Sequence, residues 1–119
     1  MIRLDRLRNS FSYAAQGWHF ALKNDQNLRI HVPIAIIVLL SAFYFHLSSL
    51  EIAVLFVMVV LVIASELMNT AAEKIVDLIT TEHRMEAKFA KDVSSAMVLT
   101  TAIGSVIVGL IIFIPHVFL

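Results

Sequence analysis

Glu66 falls near the inner end of an apolar run that begins at Ile52, and Asn69, Glu73 and Asp77 follow it at steps of three and four residues. A carboxylate at hydrocarbon depth costs roughly 2.5–3.5 kcal/mol even on lenient insertion scales, so a chain that keeps one there has a use for it. At about 100° of turn per residue the four side chains form a stripe about 80° wide on one helix face. At roughly 1.5 Å per residue, Glu66 lies about 22 Å along the helix from Glu51, which puts it toward the inner leaflet and Glu73 and Asp77 nearer water. Carboxylates that hold Mg²⁺, cations that hold phosphates and one partly desolvated carboxylate that takes a proton from a hydroxyl are the parts of a phosphoryl transfer. A lipid alcohol presents its hydroxyl at this depth.

The elements that must position these groups follow from composition and period. With 119 residues, 60% hydrophobic and 15% charged, the chain is too apolar for an ordinary soluble domain and too short for two. It reads as one all-α integral membrane domain over residues 1–119. Apolar stretches at about 32–48, 52–74 and 93–118 are each near the roughly 20 residues that a spanning helix needs. Pro33 suits the first turn of the first span, where a missing N–H leaves no gap. Ahead of it, Leu4, Leu7, Phe11, Ala14, Ala15, Trp18 and Leu22 recur at helical steps, which predicts an amphipathic helix over about 3–24 lying along the membrane surface. Trp18 and Tyr13 suit that depth. Thr80 to Asp92 reads as a short polar hairpin turn.

Net charge is zero, yet all nine basic residues sit in two places: Arg3, Arg6, Arg8, Lys23 and Arg29 before the first span, and Lys74, Arg84, Lys88 and Lys91 between the second and third. The positive-inside rule then predicts a cytoplasmic N-terminus, an outer turn at His46 to Leu50, a cytoplasmic middle loop and an outer C-terminus. Cysteine is absent, which excludes disulfides and thiolate metal sites. Met1 to Lys23 lacks the pattern of a cleavable signal, so the first span itself can direct insertion.

Other uses of these residues compete with a transferase. Glu66 could belong to a proton or cation pathway, although Ile52 to Val62 offers no polar relay, or it could join Asn69 in gluing helices of a non-catalytic adaptor. Only Gly17, Gly104 and Gly109 occur, and no phosphate-binding glycine loop can be written, so any ATP site is built from helix side chains. His31 and His83 match no zinc spacing and read as lone surface histidines. Lys91 and Asp92 are either an anchor pair at a helix end or phosphate-site residues. Ala96, Thr100 and Gly104, four residues apart, predict close helix packing.

Four blocks, Phe11-x-x-Ala14-x-x-Gly17, Asn27-Leu28-Arg29-Ile30-His31, Glu66-Leu67-Met68-Asn69-Thr70-Ala71-Ala72-Glu73 with Asp77, and Ala90-Lys91-Asp92, stand in an order that resembles the small prokaryotic diacylglycerol kinase and undecaprenol kinase family over nearly the whole chain. The resemblance implies a surface helix and three transmembrane helices assembled as a homotrimer in the bacterial plasma membrane, with active sites shared between subunits. It implies Glu66 as the base for the lipid hydroxyl, and Glu73 and Asp25 as holders of the Mg²⁺ that bridges the ATP phosphates. It also implies a nucleotide site lined by Arg6, Tyr13, Asp25, Glu73, Glu82, His83, Arg84, Lys91 and Asp92. Asn69 and Ser95 would flank the reacting lipid end beside Glu66, with Gly17 allowing close approach of the surface helix. Asp25 departs from the glutamate usual in the family; being one methylene shorter, it requires either a closer surface helix or a water in the metal shell. The Arg29-Ile30-His31 segment looks more like the undecaprenol-using branch than the diacylglycerol-using one. No nucleic-acid partner is implied.

Overall fold

The computed structural model describes residues 1–119 as four helices: α1 (Leu4–Asn24), α2 (Gln26–Tyr44), α3 (Ser49–Ile79) and α4 (Met85–Phe118). The last three are long and apolar enough to cross a membrane. At 31 and 34 residues, α3 and α4 exceed the roughly 20 residues that a bilayer core accommodates, by about three and about four turns. α3 is central, packing on α4 most extensively and also on α2 and α1.

The start of α2 differs from the span expected on hydropathy because a capping side chain, not apolarity, sets it. α2 starts six residues before residue 32, since Asp25 accepts hydrogen bonds from the backbone N–H groups of Asn27 (2.9 Å) and Leu28 (3.2 Å). Pro33 therefore lies inside α2 rather than in its first turn, where it leaves the Arg29 carbonyl without the usual helical donor. Arg29 also closes the corner from the other side, its guanidinium donating to the carbonyls of Leu22 (3.1 Å) and Lys23 (2.7 Å) at the end of α1. Lys74 lies over the Phe20 ring at 5.5 Å and ties α1 to α3.

At the opposite end, α2 stops in a Schellman arrangement. The N–H of Leu47 reaches the Ala42 carbonyl and that of His46 reaches Phe43, with His46 at φ 54° in the left-handed region. α3 begins at once with a capping box: Ser48 accepts from the Glu51 N–H at 3.2 Å and the Glu51 carboxylate accepts from the Ser48 N–H at 3.0 Å. Glu51 also meets His116 of α4 at 3.0 Å. Ala42, Leu47, Leu55 and Ile112 form the apolar core at this end, with Phe45 and Phe113 edge to face beside it.

The α3–α4 connection is shorter than the polar segment suggests, because helix α4 starts at Met85 and leaves only Thr80–Arg84 as a turn. The α4 face against α3 runs through Val98, Thr101, Ser105, Val108 and Ile112, at helical spacing, while Ala96 and Thr100 are exposed. Of the small-residue stripe only Gly104 packs inward, toward the end of Met58. Just 10 of 119 residues are buried, so a single chain leaves long apolar faces for lipid or for further copies to cover.

Candidate active site

Helix geometry grades the acidic stripe by depth. Glu66 is 0% exposed, Asn69 nearly buried, Glu73 half-buried and Asp77 exposed, so one face of α3 runs from the protein interior out to water. Neither carboxylate oxygen of Glu66 has an aligned hydrogen-bond donor, and Oδ1 of Asn69 is likewise buried without a partner. Three orphaned acceptors in one helical turn are costly unless a ligand supplies hydrogens to them.

Neighbouring elements converge on this turn. Asp25, at the α1–α2 corner, accepts through Oδ2 from the Thr70 hydroxyl of α3 at 3.0 Å while Oδ1 caps α2. Asp25 and Glu73 are the acidic neighbours whose charge acts on Glu66. Asn69 Nδ2 faces Glu73 Oε1 at 3.5 Å. Nε2 of His31, on α2, comes to 3.2 Å from Glu66 Oε1. On the α4 side, the hydroxyls of Ser65 and Thr101 meet at 2.9 Å, each also facing a carbonyl of its own helix, Val62 for Ser65 and Val98 for Thr101.

A second, polar site lies at the end of α3 and α4. A groove of about 390 Å³ is lined by Asp77, Glu82, His83, Arg84, Lys88, Lys91 and Asp92 among others. Lys91 crosses from α4 to Asp77 of α3 at 2.6 Å, Lys88 pairs with Asp92 one turn along α4, and Arg84 pairs with Glu82 at 2.9 Å. Cations held by single exposed carboxylates exchange partners at little cost, so an incoming polyphosphate can take them over.

The residues expected at the site divide into three groups. Glu66, Asn69, Glu73 and Asp25 gather at the corner of α1, α2 and α3. Glu82, His83, Arg84, Lys91 and Asp92 line the polar groove. Arg6, Tyr13, Gly17 and Ser95 are exposed, and within one chain a side chain at Gly17 would meet nothing within 4 Å, so the close approach expected there is not made by this chain alone. His31, read from spacing as a lone surface histidine, instead touches the buried carboxylate. Thr70 was also missed as a partner of Asp25; its place inside the Glu66–Glu73 block is the one signal that could have drawn attention to it.

Two carboxylates with spare lone pairs, Asp25 and Glu73, offer hard oxygen donors of the kind Mg²⁺ takes. No three acidic or histidine side chains close around a common point.

Comparison with known proteins agrees with this chemistry. Residues 12–113 match the family described as prokaryotic diacylglycerol kinase. The chain is 38% identical over 112 residues to the undecaprenol kinase of Bacillus subtilis, covering 94% of this chain and 91% of that one. It is 40% identical over 107 residues to a diacylglycerol kinase of Synechocystis sp., covering 89% of this chain and 61% of the relative. A diacylglycerol kinase of Haemophilus influenzae is 37% identical over 108 residues, covering 91% of this chain and 89% of the relative.

Proposed function

The chain belongs to the prokaryotic diacylglycerol kinase family, whose members are membrane lipid kinases, and from that premise we propose that it phosphorylates undecaprenol with ATP to give the lipid monophosphate. The observation that carries the reading is Glu66, a fully buried carboxylate with both oxygens free of aligned donors, one turn from Asn69 and on the face that leads to Glu73. Such a group takes the hydroxyl proton as the alcohol oxygen bonds to the γ-phosphorus, and the bond from that phosphorus to the bridging oxygen breaks, leaving its electron pair on ADP. Asn69, one turn along the same face, would bound the place where the lipid end sits beside the base.

Asp25 and Glu73 would hold Mg²⁺, which when bound neutralises phosphate charge. Asn69 and Thr70 orient those two carboxylates through their side-chain contacts. Lys91, Arg84 and His83 line the groove that suits the nucleotide, with Glu82, the partner of Arg84, and Asp92, the partner of Lys88, free to accept from the sugar instead. Positive charge on one set of helix ends supports a cytoplasmic N-terminus and middle loop and an outer C-terminus in a bacterial plasma membrane. Exposed Leu4, Leu7, Phe11 and Trp18 support α1 as the surface helix. The wide apolar surface of one chain, and the exposure of Arg6, Tyr13, Gly17 and Ser95 on it, support a homotrimer in which neighbouring copies complete each site.

A second reading, diacylglycerol as the acceptor, is favoured by the names of the Synechocystis and Haemophilus relatives. Purified protein in mixed micelles with labelled ATP, Mg²⁺ and either undecaprenol, diacylglycerol or ceramide separates the two by the lipid that gains label. Glu66→Gln is expected to leave a folded protein with transfer reduced by about 10²–10⁴, the range for losing a general base. A Glu66→Gln protein as active as the parent removes the base assignment. Flux in proteoliposomes that vanishes when a proton gradient is collapsed, without lipid labelling, replaces the kinase by a transporter.

A further inference from the structure

His31 stands on α2 with one face toward Glu66, Nε2 at 3.2 Å from Oε1, and the other on the wall of an apolar cavity of about 310 Å³ between α2, α3 and α4. Among the side chains lining that cavity, which include Ile34, Val38, Met58, Val62 and Phe113, it is the only one that ionises. Its ring is 27% exposed while Glu66 is 0% exposed, so the imidazole covers the carboxylate on the α2 side. A ring packed on an apolar wall has little freedom to swing away. A small change in its torsion brings an Nε2–H into line with Oε1, since the nitrogen already lies at hydrogen-bond distance.

A buried carboxylate without donors is free to turn about its last torsion, and a base that turns presents the wrong lone pair for part of the time. Asp25 and Glu73 are acidic and push on the group, and Asp25, which also lies against it, can hydrogen-bond to it only while one of the two carries a proton. The Asn69 amide is directed at Glu73 rather than at Glu66. His31 is left as the donor in place. We propose that His31 is the positioning residue for Glu66: its Nε2–H donates to Oε1 and fixes the carboxylate plane, so that Oε2 meets the hydroxyl of the lipid alcohol. The inference rests on the kinase reading and adds to it a residue that spacing alone assigns to the surface.

The test compares His31→Gln, His31→Leu and His31→Ala with the parent chain in mixed micelles, with rates measured against both ATP and undecaprenol. Glutamine carries an N–H donor at similar reach, and leucine keeps the volume without a donor. Leu and Ala are expected to lower kcat by roughly 10- to 100-fold, the scale of one hydrogen bond to a charged group, with KM for ATP unchanged. Gln is expected to return kcat to within about threefold of the parent, a difference of less than about 1 kcal/mol in barrier. A residue needed only for packing gives the opposite order, with Leu tolerated and Gln impaired. That order, or a His31→Ala protein as fast as the parent, overturns the proposal while the kinase reading stands. A parent chain that labels neither undecaprenol nor diacylglycerol overturns the kinase reading and this inference together. If one apolar variant does not fold, the other still supplies the comparison with Gln.

Discussion

Asp25 performs two tasks that substitution can separate. One carboxylate oxygen caps α2 through the N–H groups of Asn27 and Leu28, and the other accepts from Thr70 of α3. Losing a cap costs about 1 kcal/mol, and losing a hydrogen bond to a charged acceptor in a part-buried place adds about 1.5, so Asp25→Ala should be destabilised by about 2–3 kcal/mol. Asparagine caps as well as aspartate does, and its amide can donate to the Thr70 hydroxyl, which reverses its role and accepts. Asp25→Asn is therefore expected to unfold within about 1 kcal/mol of the parent while losing at least about 100-fold in phosphoryl transfer, roughly 2.7 kcal/mol of barrier, because a neutral amide is a poor ligand for Mg²⁺. Asp25→Glu should show the converse, weaker by about 1 kcal/mol for want of a short capping side chain yet within about tenfold of parental activity. Thermal unfolding in detergent followed by circular dichroism gives the first quantity, and initial rates of label transfer at saturating lipid give the second. Asn as unstable as Ala would refute the capping argument. Asn with parental activity would refute the metal assignment.

Lys91→Met breaks the pair with Asp77, an exposed contact worth about 0.2–1 kcal/mol, so the fold should persist while KM for ATP rises about tenfold in a nucleotide titration; an unchanged KM returns Lys91 to the role of a helix-end anchor. Ser48→Ala removes half of the capping box at the start of α3 and should lower stability by about 0.5–2 kcal/mol in thermal unfolding, with rates at low temperature unaffected because the box lies at the far end of the bundle from Glu66.

Periodicity made the helices and the acidic stripe legible, since both are properties of one segment: the helix expected over about 3–24 appears as Leu4–Asn24, and Glu66, Asn69, Glu73 and Asp77 do grade from buried to exposed. What stayed hidden depends on how one helix is turned toward another. His31 and Glu66 are distant in sequence, and their contact follows from the Asp25–Arg29 corner, whose caps also start α2 ahead of its apolar run. The packing face of α4 was likewise ambiguous, because small residues and larger apolar ones both recur there at helical steps and only contact with α3 selects between them. Arg6, Tyr13, Gly17 and Ser95 rest on the resemblance alone, and all four are exposed on a single chain.

The hydroxyls of Ser65 and Thr101 have three contacts between them, one with each other and one with a carbonyl of each helix, and only two hydrogens to fill those contacts. One of the three contacts must always go without. When one hydroxyl donates to the other, the pair has two arrangements of opposite polarity, interchanged by rotating two O–H bonds while every heavy atom stays where it is. Since Ser65 adjoins Glu66 in the chain, this small dipole can reorient whenever the neighbouring charge appears or disappears, a local dielectric response between two apolar helices.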